Sequence, residues 1–218
     1  MVEDFLVKKV GVPFSRSGED EFEFAREASH SRRRILHSKD STGKAIETAL
    51  VEKVAEYGNI RSFPGYPAID LLTIPHHSTN PLALYREPQC IGAYVLNNAT
   101  GHVERFFSSY TVLATGGLGR IYLHTTNPPV ATGDGFAMAD RAGARLINME
   151  YIQFHPTTLF HKDADGFLIS EALRGEGARL KTKDGVPFMA NYSELGDLAP
   201  RDEVSRAMYE EMIKRGDA

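Results

Sequence analysis

Five side chains suited to acid–base or anion-binding chemistry lie within fewer than sixty residues, between positions 150 and 206. The stretch contains E-Y-I-Q-F-H-P-T-T, S-E-A-L-R-G-E-G-A and D-L-A-P-R-D-E-V-S-R, with glycine and proline breaks. Arginines bind carboxylates through two parallel hydrogen bonds, so a set with two arginines suits chemistry on a small dicarboxylate. The five are His155, Glu171, Arg174, Glu176 and Arg201.

Spacing predicts the local structure around three of these residues. Glu171 and Arg174 are three positions apart, so on a helix they share one face and can touch. Arg201 follows Pro200, and the apolar residues after it recur at helical spacing, which predicts a helix beginning there. An arginine at a helix N-terminus opposes the macrodipole; Asp202 and Glu203 could offset this cost, but a site that needs a cation explains it better. The apolar residues are Val204, Ala207, Met208 and Met212.

A proton relay follows from this pairing. A guanidinium stays protonated near neutral pH, so an arginine alone cannot shuttle protons there and needs help. Glu171 beside Arg174 would provide that help. Taken singly, each residue suits an ordinary surface ion pair on an amphipathic helix; the spaced set as a whole favours a catalytic site.

The segments Q-F-H-P-T, S-E-A-L-R-G-E-G-A and L-A-P-R-D resemble the flavoprotein family of succinate dehydrogenase, fumarate reductase and L-aspartate oxidase, and the similarity runs from about residue 5 to 218. The resemblance implies that Arg201 is the catalytic proton donor or acceptor at the substrate carbon. It also makes Glu171 and Arg174 the relay and His155 a ligand of a substrate carboxylate. Ser170 stands where the family usually has a threonine that touches the same carboxylate, and it keeps the hydroxyl.

Glu27 distinguishes members of this family. It lies in A-R-E-A-S-H-S-R-R-R-I-L-H, where aspartate-oxidising members have glutamate and the succinate and fumarate enzymes have glutamine. A carboxylate there can pair with the ammonium of aspartate, which succinate lacks. His30, Ser31 and His37 follow the same pattern. The alternative is a solvated charge beside the arginines at 26 and 32–34; three consecutive arginines in a chain of net charge −4 make a weak case for nucleic-acid binding.

The cofactor implied by the resemblance is FAD. A buried strand predicted at Tyr110–Ala114 opens into Thr115, Gly116 and Gly117, where small residues let the backbone approach a ligand, although such a stretch is more often only a turn. Asp134 precedes a helical pattern, so it suits an N-cap, and by resemblance it also contacts FAD. Pro67 and Ala68 match the adenine end, where only Ala68 offers a backbone N–H.

The remaining patterns predict an α/β fold. Apolar spacing from Ala45 to Val54 predicts a helix stopped at Gly58-Asn59. Short strands are predicted at Ile60–Phe63 and Ala68–Ile74, and a hairpin at Ile91–Leu96 and Val103–Phe107. By resemblance, residues 1–148 are the middle of an incomplete FAD-binding Rossmann-like domain. Residues 149–218 then begin an α+β capping domain.

Composition bounds the class of protein. The 218 residues are 42% hydrophobic and 25% charged, with no run of the roughly 18 apolar residues that a spanning helix needs. The single cysteine, Cys90, gives no internal disulfide and no metal-ligand pair, and His76-His77 is expected in an exposed loop. We therefore expect a cytoplasmic protein with no metal and no membrane or nucleic-acid partner.

A motif that the family uses is missing. No G-x-G-x-x-G stands near the start to hold the FAD pyrophosphate at a helix N-terminus. The sequence therefore predicts an internal section of a longer protein, opened by Met1 inside a family helix. Without the first, central strand of the sheet, unpaired edges and exposed apolar surface are expected, together with poor FAD binding and little turnover.

For the longer protein, the resemblance implies FAD-dependent oxidation of L-aspartate to iminoaspartate, with oxygen or fumarate as electron acceptor. Iminoaspartate feeds quinolinate synthesis, so the implied pathway is de novo NAD formation, with quinolinate synthase as a candidate partner. Two alternatives stay open. One is a soluble fumarate reductase or succinate dehydrogenase flavoprotein, and the other is a non-catalytic, truncated remnant.

Overall fold

The computed structural model describes residues 2–18, 21–27, 30–39, 41–164 and 166–216. Met1, at the predicted opening of a family helix, lies outside the described residues. The chain forms two units. The first unit comprises Met1–Arg61, Gln153–Leu159 and Phe167–Ala218, and the second comprises Ser62–Ile152 and Phe160–Gly166.

The amino-terminal part of the first unit packs two helices beside a short hairpin. A π-helix spans Val2–Val10, strands β1 (Phe24–Ala25) and β2 (Ile35–Leu36) pair antiparallel, and helix α1 spans Thr42–Ala55. The helix predicted from the apolar spacing is thereby confirmed, and it ends before the predicted Gly58 stop. Its buried face meets a small core of Val12, Phe14 and Ala49, with Leu6, Val7, Val10, Phe22, Leu36 and Ile46 around it.

The carboxyl-terminal part of the first unit holds a second core beneath two helices. Helix α3 is a single turn, Ala172–Gly175, and helix α4 spans Arg201–Arg215. The helix predicted to begin at Arg201 is confirmed. Of its predicted apolar residues Val204 and Ala207 are buried, whereas Met212 is 39% exposed. The buried core residues are Phe188, Met189, Ala199, Val204 and Ala207. This packing fixes the start of α4, and with it the backbone of Arg201.

The second unit is built on a three-stranded antiparallel sheet. Strand β3 spans Ala68–Ile74, β4 spans Gln89–Asn97 and β5 spans His102–Phe107, in the order β3-β4-β5. The predicted hairpin and the predicted strand at 68–74 are both confirmed. A Cβ at Gly92 would lie 1.9 Å from the Phe106 carbonyl oxygen, so only glycine allows this close approach of β4 to β5.

Helix α2 (Asp134–Arg141) is tied to β3 by an ion pair. Arg141 Nε donates to Asp70 Oδ2 at 2.9 Å, and Arg141 Nη2 donates to the Ile69 carbonyl at 3.2 Å. Burial alone would raise the pKa of the Asp70 carboxyl. The hydrogen bonds from Arg141 and from the Leu71 N–H outweigh this and lower the pKa, so Asp70 remains ionised.

Two predicted strands are wrong. Residues 60–63 and 110–114 form no strand and pair with no strand among the described residues. The second of these segments was expected to be buried, yet Tyr110 is 92% exposed and Val112 is 84% exposed. An apolar, β-branched run forms a strand only where a neighbour accepts and donates its backbone hydrogen bonds.

Two local predictions also need correction. The N-cap of α2 is Gly133, in the left-handed region at φ 84°, whereas Asp134 is the first helical residue. His76 is exposed as expected, but His77 is half-buried, and its Nδ1 lies 3.2 Å from the Thr73 N–H that donates to it.

Neither a metal site nor a membrane span is found in the described ranges. No group of three or more histidine, cysteine or acidic side chains in those ranges could hold a metal ion. Among the helices of the described ranges, none is both long and apolar enough to cross a bilayer.

Candidate active site

One carboxylate oxygen joins the two arginines singled out by the sequence. Glu171 Oε1 accepts a hydrogen bond from Arg174 Nη2 at 2.8 Å and from Arg201 Nε at 2.9 Å. Glu171 and Arg174 are only 6% and 4% exposed, whereas the Arg201 side chain is 38% exposed. The triad therefore has a desolvated inner end and an outer arginine that a ligand can reach.

Helix α3 creates the inner end of the triad. Glu171 immediately precedes the helix and Arg174 lies in it, so the predicted contact across one turn is confirmed. Ser170 Oγ accepts from the Ala172 N–H at 3.2 Å and stabilises the start of this turn. Arg174 Nη1 donates to the Asp197 carbonyl at 2.8 Å, which fixes the guanidinium from the opposite side.

Arg201 stands where the positive end of the α4 dipole makes a cation costly. Asp202, which could offset that cost, accepts a hydrogen bond from Arg206 Nη2 at 2.7 Å. The charge that compensates Arg201 at hydrogen-bond distance is instead Glu171. Two arginines against one carboxylate leave a formal charge of +1 for the triad, and an anionic ligand would neutralise it.

His155 adds a neutral group beside these charges. Burial lowers the pKa of its imidazole from the ordinary 6.5, and the positive charges of Arg201 and Arg174 lower it further. A hydrogen bond from Nδ1 of the protonated ring to the Thr157 carbonyl, at 3.0 Å, and the charge of Glu171 act in the opposite direction and are outweighed. In the neutral ring Nδ1 can accept from the Thr157 N–H at 3.2 Å, which leaves Nε2–H as the donor. Near neutral pH the ring is therefore uncharged and can donate one N–H to a carboxylate.

Glu27 is brought to the same turn through the backbone. It is half-buried in the hairpin between β1 and β2, and its carbonyl accepts from the His30 N–H at 3.2 Å. A Cβ built on Gly175 would lie 2.1 Å from the Arg26 carbonyl oxygen and 3.4 Å from Glu27 Cα. The first unit thus contains all six predicted catalytic and substrate-binding residues, with Glu27 next to α3.

The predicted cofactor residues lie in the second unit. Asp134 Oδ2 accepts from Thr132 Oγ1 at 2.8 Å, and a Cβ at Gly135 would lie 1.9 Å from Thr115 Oγ1, so the start of α2 packs directly on the T-G-G segment. The N–H groups of Gly116 and Gly117 donate to no described residue, and both glycines are exposed. Open backbone donors next to a helix N-terminus are suited to an anionic group such as a phosphate.

Pro67 and Ala68 lie at the start of β3 in the same unit. The Pro67 carbonyl accepts from the Leu96 N–H at 2.9 Å, and Ala68 is opposite Val95 in the ladder. Both residues are exposed, so this strand end is accessible to a ligand.

Two contacts of the site were not predicted from the sequence. Gln153 Oε1 accepts from Arg201 Nη1 at 3.0 Å, and Asp197 supplies the carbonyl that binds Arg174. Gln153 precedes His155 by two positions, and in an extended segment this spacing places both side chains on one face, a signal that could have identified it. Asp197 acts through its backbone, which no side-chain pattern reveals.

The whole chain, residues 1–218, matches the family model described as FAD binding domain, and the chain belongs to this family of flavoproteins. It is 50% identical over 208 residues to L-aspartate oxidase 1 of Ralstonia nicotianae, a match that covers 94% of this chain and 38% of that relative. The L-aspartate oxidase of Yersinia pestis is 48% identical, with 93% of this chain and 37% of the relative covered.

Solved structures support the same family. A quinol-fumarate reductase structure with menaquinol molecules matches at a TM-score of 0.81 and 29% identity, covering 97% of this chain and 36% of that chain. Mycobacterium smegmatis Sdh1 in complex with UQ1 matches at 0.70 and 32%, covering 95% of this chain and 34% of that one. FAD is thus the family's cofactor, and the predicted mixed helix-and-sheet fold of an FAD-binding domain is confirmed. The chain spans under two-fifths of the length of the two L-aspartate oxidases.

Proposed function

We propose that this chain forms part of an FAD-dependent enzyme that oxidises L-aspartate to iminoaspartate. The observation that carries the proposal is the Glu171 oxygen shared between buried Arg174 and accessible Arg201. This arrangement offers a dicarboxylate a net positive site with a proton relay behind it. Similarity to proteins named L-aspartate oxidases supplies the substrate.

The predicted substrate-binding residues of the first unit each have a separate role. His155 and Ser170 would hold one carboxylate through a neutral N–H and a hydroxyl. Glu27 would pair with the ammonium on C2, a group that distinguishes aspartate from succinate. Gln153 and Glu171 fix the Arg201 guanidinium from two sides, so its direction toward the reacting carbons is set before the substrate arrives.

Proton transfer falls to the arginine triad. Arg201 would lie at the reacting carbons as the proton donor or acceptor, and Glu171 would exchange that proton with it across 2.9 Å. Arg174, held by the Asp197 carbonyl, keeps Glu171 in place and stabilises its charge. A buried carboxylate between two guanidiniums suits this task, because the proton can pass without free access of water.

FAD, when bound, supplies the acceptor for the hydride that leaves C2. In this chain Thr115, Gly116, Gly117 and Asp134 would hold its phosphate or flavin part, and Pro67 and Ala68 its adenine end. We place FAD binding in residues 1–148 and the start of the substrate-capping domain in 149–218.

The proposed activity has consequences outside the chain. Oxygen or fumarate would accept the electrons in the end, and iminoaspartate would pass to quinolinate synthase for NAD formation. We also propose that the protein is cytoplasmic, as its composition led us to expect.

A fumarate reductase or succinate dehydrogenase flavoprotein is the second candidate, because the solved structures that match include a quinol-fumarate reductase. Glu27 favours the aspartate-oxidising function, since a carboxylate beside C2 is matched to an ammonium. The two functions separate when L-aspartate and succinate are compared as reductants of the full-length flavoprotein. Faster flavin reduction by succinate would overturn our proposal.

Replacement of the outer arginine tests the catalytic assignment. Arg201→Lys keeps the positive charge but cannot bond Glu171 and Gln153 through a planar fork, so we expect kcat of the full-length enzyme to fall by about a hundredfold or more. Steady-state oxidation of L-aspartate measures this effect. Arg206→Lys, which alters an exposed arginine one turn further along α4, is the matched control. Near-normal turnover in Arg201→Lys would rule out the proposed role.

A further inference from the structure

The hairpin that carries Glu27 is joined to helix α3 by an arginine–glutamate pair outside the catalytic triad. Arg33 Nη1 lies 2.8 Å from Glu176 Oε1, and Arg33 Nη2 donates to Glu176 Oε2 at 3.0 Å. The two parallel bonds form a fork-to-fork pair, which fixes direction as well as distance. Glu176, the fifth side chain that the sequence singled out, is paired with Arg33 rather than with the triad of Glu171, Arg174 and Arg201. It lies two residues after Arg174, so the pair connects the hairpin to the turn that holds the triad.

A backbone contact defines the same interface. Gly175, the last residue of α3, meets the Arg26 carbonyl so closely that a Cβ would lie 2.1 Å from its oxygen. The contact seats the backbone on either side of the Arg26–Glu27 peptide against α3. Glycine is needed here because any side chain would push the hairpin away.

The described parts of this hairpin, residues 24–27 and 30–36, are also braced internally. Arg26 Nε donates to the His30 carbonyl at 2.9 Å, and the His30 N–H donates to the Glu27 carbonyl at 3.2 Å. The Arg34 N–H donates to the Ala25 carbonyl at 3.2 Å and closes the hairpin beside β1. These hydrogen bonds connect the segment that carries Arg33 to the backbone of Glu27.

We infer that Arg33, Glu176 and Gly175 are positioning residues that seat Glu27 and thereby set the preference for an amino dicarboxylate over an unsubstituted one. The inference rests on the proposed function, because it gives Glu27 the ammonium of L-aspartate as its partner. None of the three residues need touch the substrate. They act on binding of the ammonium, which aspartate has and succinate lacks. Binding of the carboxylate by His155 and Ser170 does not depend on them.

The experiment uses the full-length, FAD-loaded enzyme and the variant Glu176→Gln. Both side chains of the pair are about half exposed, which limits its strength, so we expect KM for L-aspartate to rise about three- to fivefold. The inhibition constant of succinate should change by less than about twofold, since succinate has no ammonium, and kcat should hold. Asp184→Asn is the matched control, because it removes the carboxylate from another arginine pair of the first unit, with Arg215.

Hydrogen exchange supplies a readout that does not depend on turnover. Glu176→Gln should speed amide exchange in a peptide covering residues 24–36, and Asp184→Asn should not. Gly175→Ala should raise KM for L-aspartate and speed exchange in this peptide, both by more than Glu176→Gln does. The double variant Arg33→Glu with Glu176→Arg reverses the ion pair. It should bring KM for L-aspartate and the exchange rate of this peptide most of the way back to the values of the unaltered enzyme.

The outcomes separate the two proposals. Equal losses for L-aspartate and succinate would mean a general structural role and overturn the inference, as would unchanged KM and exchange in Glu176→Gln. If the unaltered enzyme oxidises succinate and not L-aspartate, the proposed function fails, and the selectivity claim fails with it. Faster exchange in Glu176→Gln would then still identify the seating contact by itself.

Discussion

At the scale of single residues, the two arginines of the triad differ in how deeply they are buried. Arg174 is nearly inaccessible and is held by Glu171 and the Asp197 carbonyl, so it cannot turn toward a ligand. Arg201 shares the same carboxylate oxygen but is more than a third exposed. A buried ion pair is costly to break because the charge left behind has no solvent. The buried Glu171–Arg174 pair is therefore a fixed support for the Arg201 side chain.

Glu27 makes a prediction about substrate choice at this scale. Glu27→Gln keeps the side-chain shape and removes its negative charge, so the ammonium of L-aspartate loses its partner. We expect kcat/KM for L-aspartate to fall about 10- to 100-fold, the range for loss of a charged hydrogen bond, while succinate inhibits as before. Initial rates in the full-length enzyme measure both constants. Exposed Glu21→Gln is the control, and parallel losses for both ligands would contradict the assignment.

His155 makes a prediction about pH. Because burial and the nearby arginines lower its pKa, the folded protein binds fewer protons than the unfolded chain below pH 6.5. The stability linked to the neutral ring is thus present above pH 6.5 and is lost as the pH falls from that value toward the folded pKa. The ring should titrate below 6.5 in an NMR titration of carbon-13-labelled histidine, with His155→Gln to assign the signal.

The same titration contains its own control. Arg201→Gln removes one of the charges that lower the His155 pKa, so the midpoint should move upward. The His155 midpoint could instead lie at or above 6.5 in the unaltered protein, or stay the same in Arg201→Gln. Either result would show that the charges of the triad do not lower the pKa of His155.

At the scale of elements, the contact between α2 and the T-G-G segment makes a prediction about the cofactor. A Cβ at Gly135 would meet Thr115 Oγ1 at 1.9 Å and Thr115 Cβ at 3.0 Å, so Gly135→Ala must displace the segment. Overpacking of this kind costs about 1–3 kcal/mol, and we expect flavin affinity to fall more than kcat of the loaded enzyme. Equilibrium titration with FAD measures it.

Gly43→Ala is the matched control for this substitution. Nothing lies within 4 Å of a Cβ at Gly43, which is in helix α1, so alanine should leave flavin binding unchanged and slightly stabilise the fold. Equal flavin loss in both variants would show that the α2 contact has no special part in FAD binding.

Elements whose partners are near in sequence could be predicted. The β4–β5 hairpin and helix α1 carry their own periodicity, and each finds its neighbour within a few dozen residues. Residues 60–63 and 110–114 have the composition of strands, but a strand also needs a partner backbone, which composition does not encode. The Glu171–Arg174 contact was predictable from helical spacing, whereas the Arg201–Gln153 bond spans 48 positions and needed the fold.

At the scale of the whole molecule, the second unit exposes apolar side chains to an extent that is uncommon on protein surfaces. Several aromatic and aliphatic residues are almost fully accessible, and where such side chains form a patch they usually mark a surface covered by other protein. The L-aspartate oxidases of Ralstonia nicotianae and Yersinia pestis are more than twice as long as the part of them that this chain matches, so the length needed to cover such a patch exists in the family. The most exposed are Tyr85, Tyr110, Leu123 and Phe160.

This exposure predicts how the 218-residue chain behaves by itself. We expect it to bind the dye ANS strongly through the exposed apolar side chains and to bind FAD weakly, because no glycine-rich dinucleotide loop occurs near residue 1. A titration followed by flavin absorbance, with and without L-aspartate under anaerobic conditions, measures the second property. A chain of the relatives' length is the control and should hold yellow flavin that bleaches with L-aspartate. Bound flavin that bleaches in the 218-residue chain would show that these residues suffice for the chemistry. Coverage of the apolar surface would then concern stability alone.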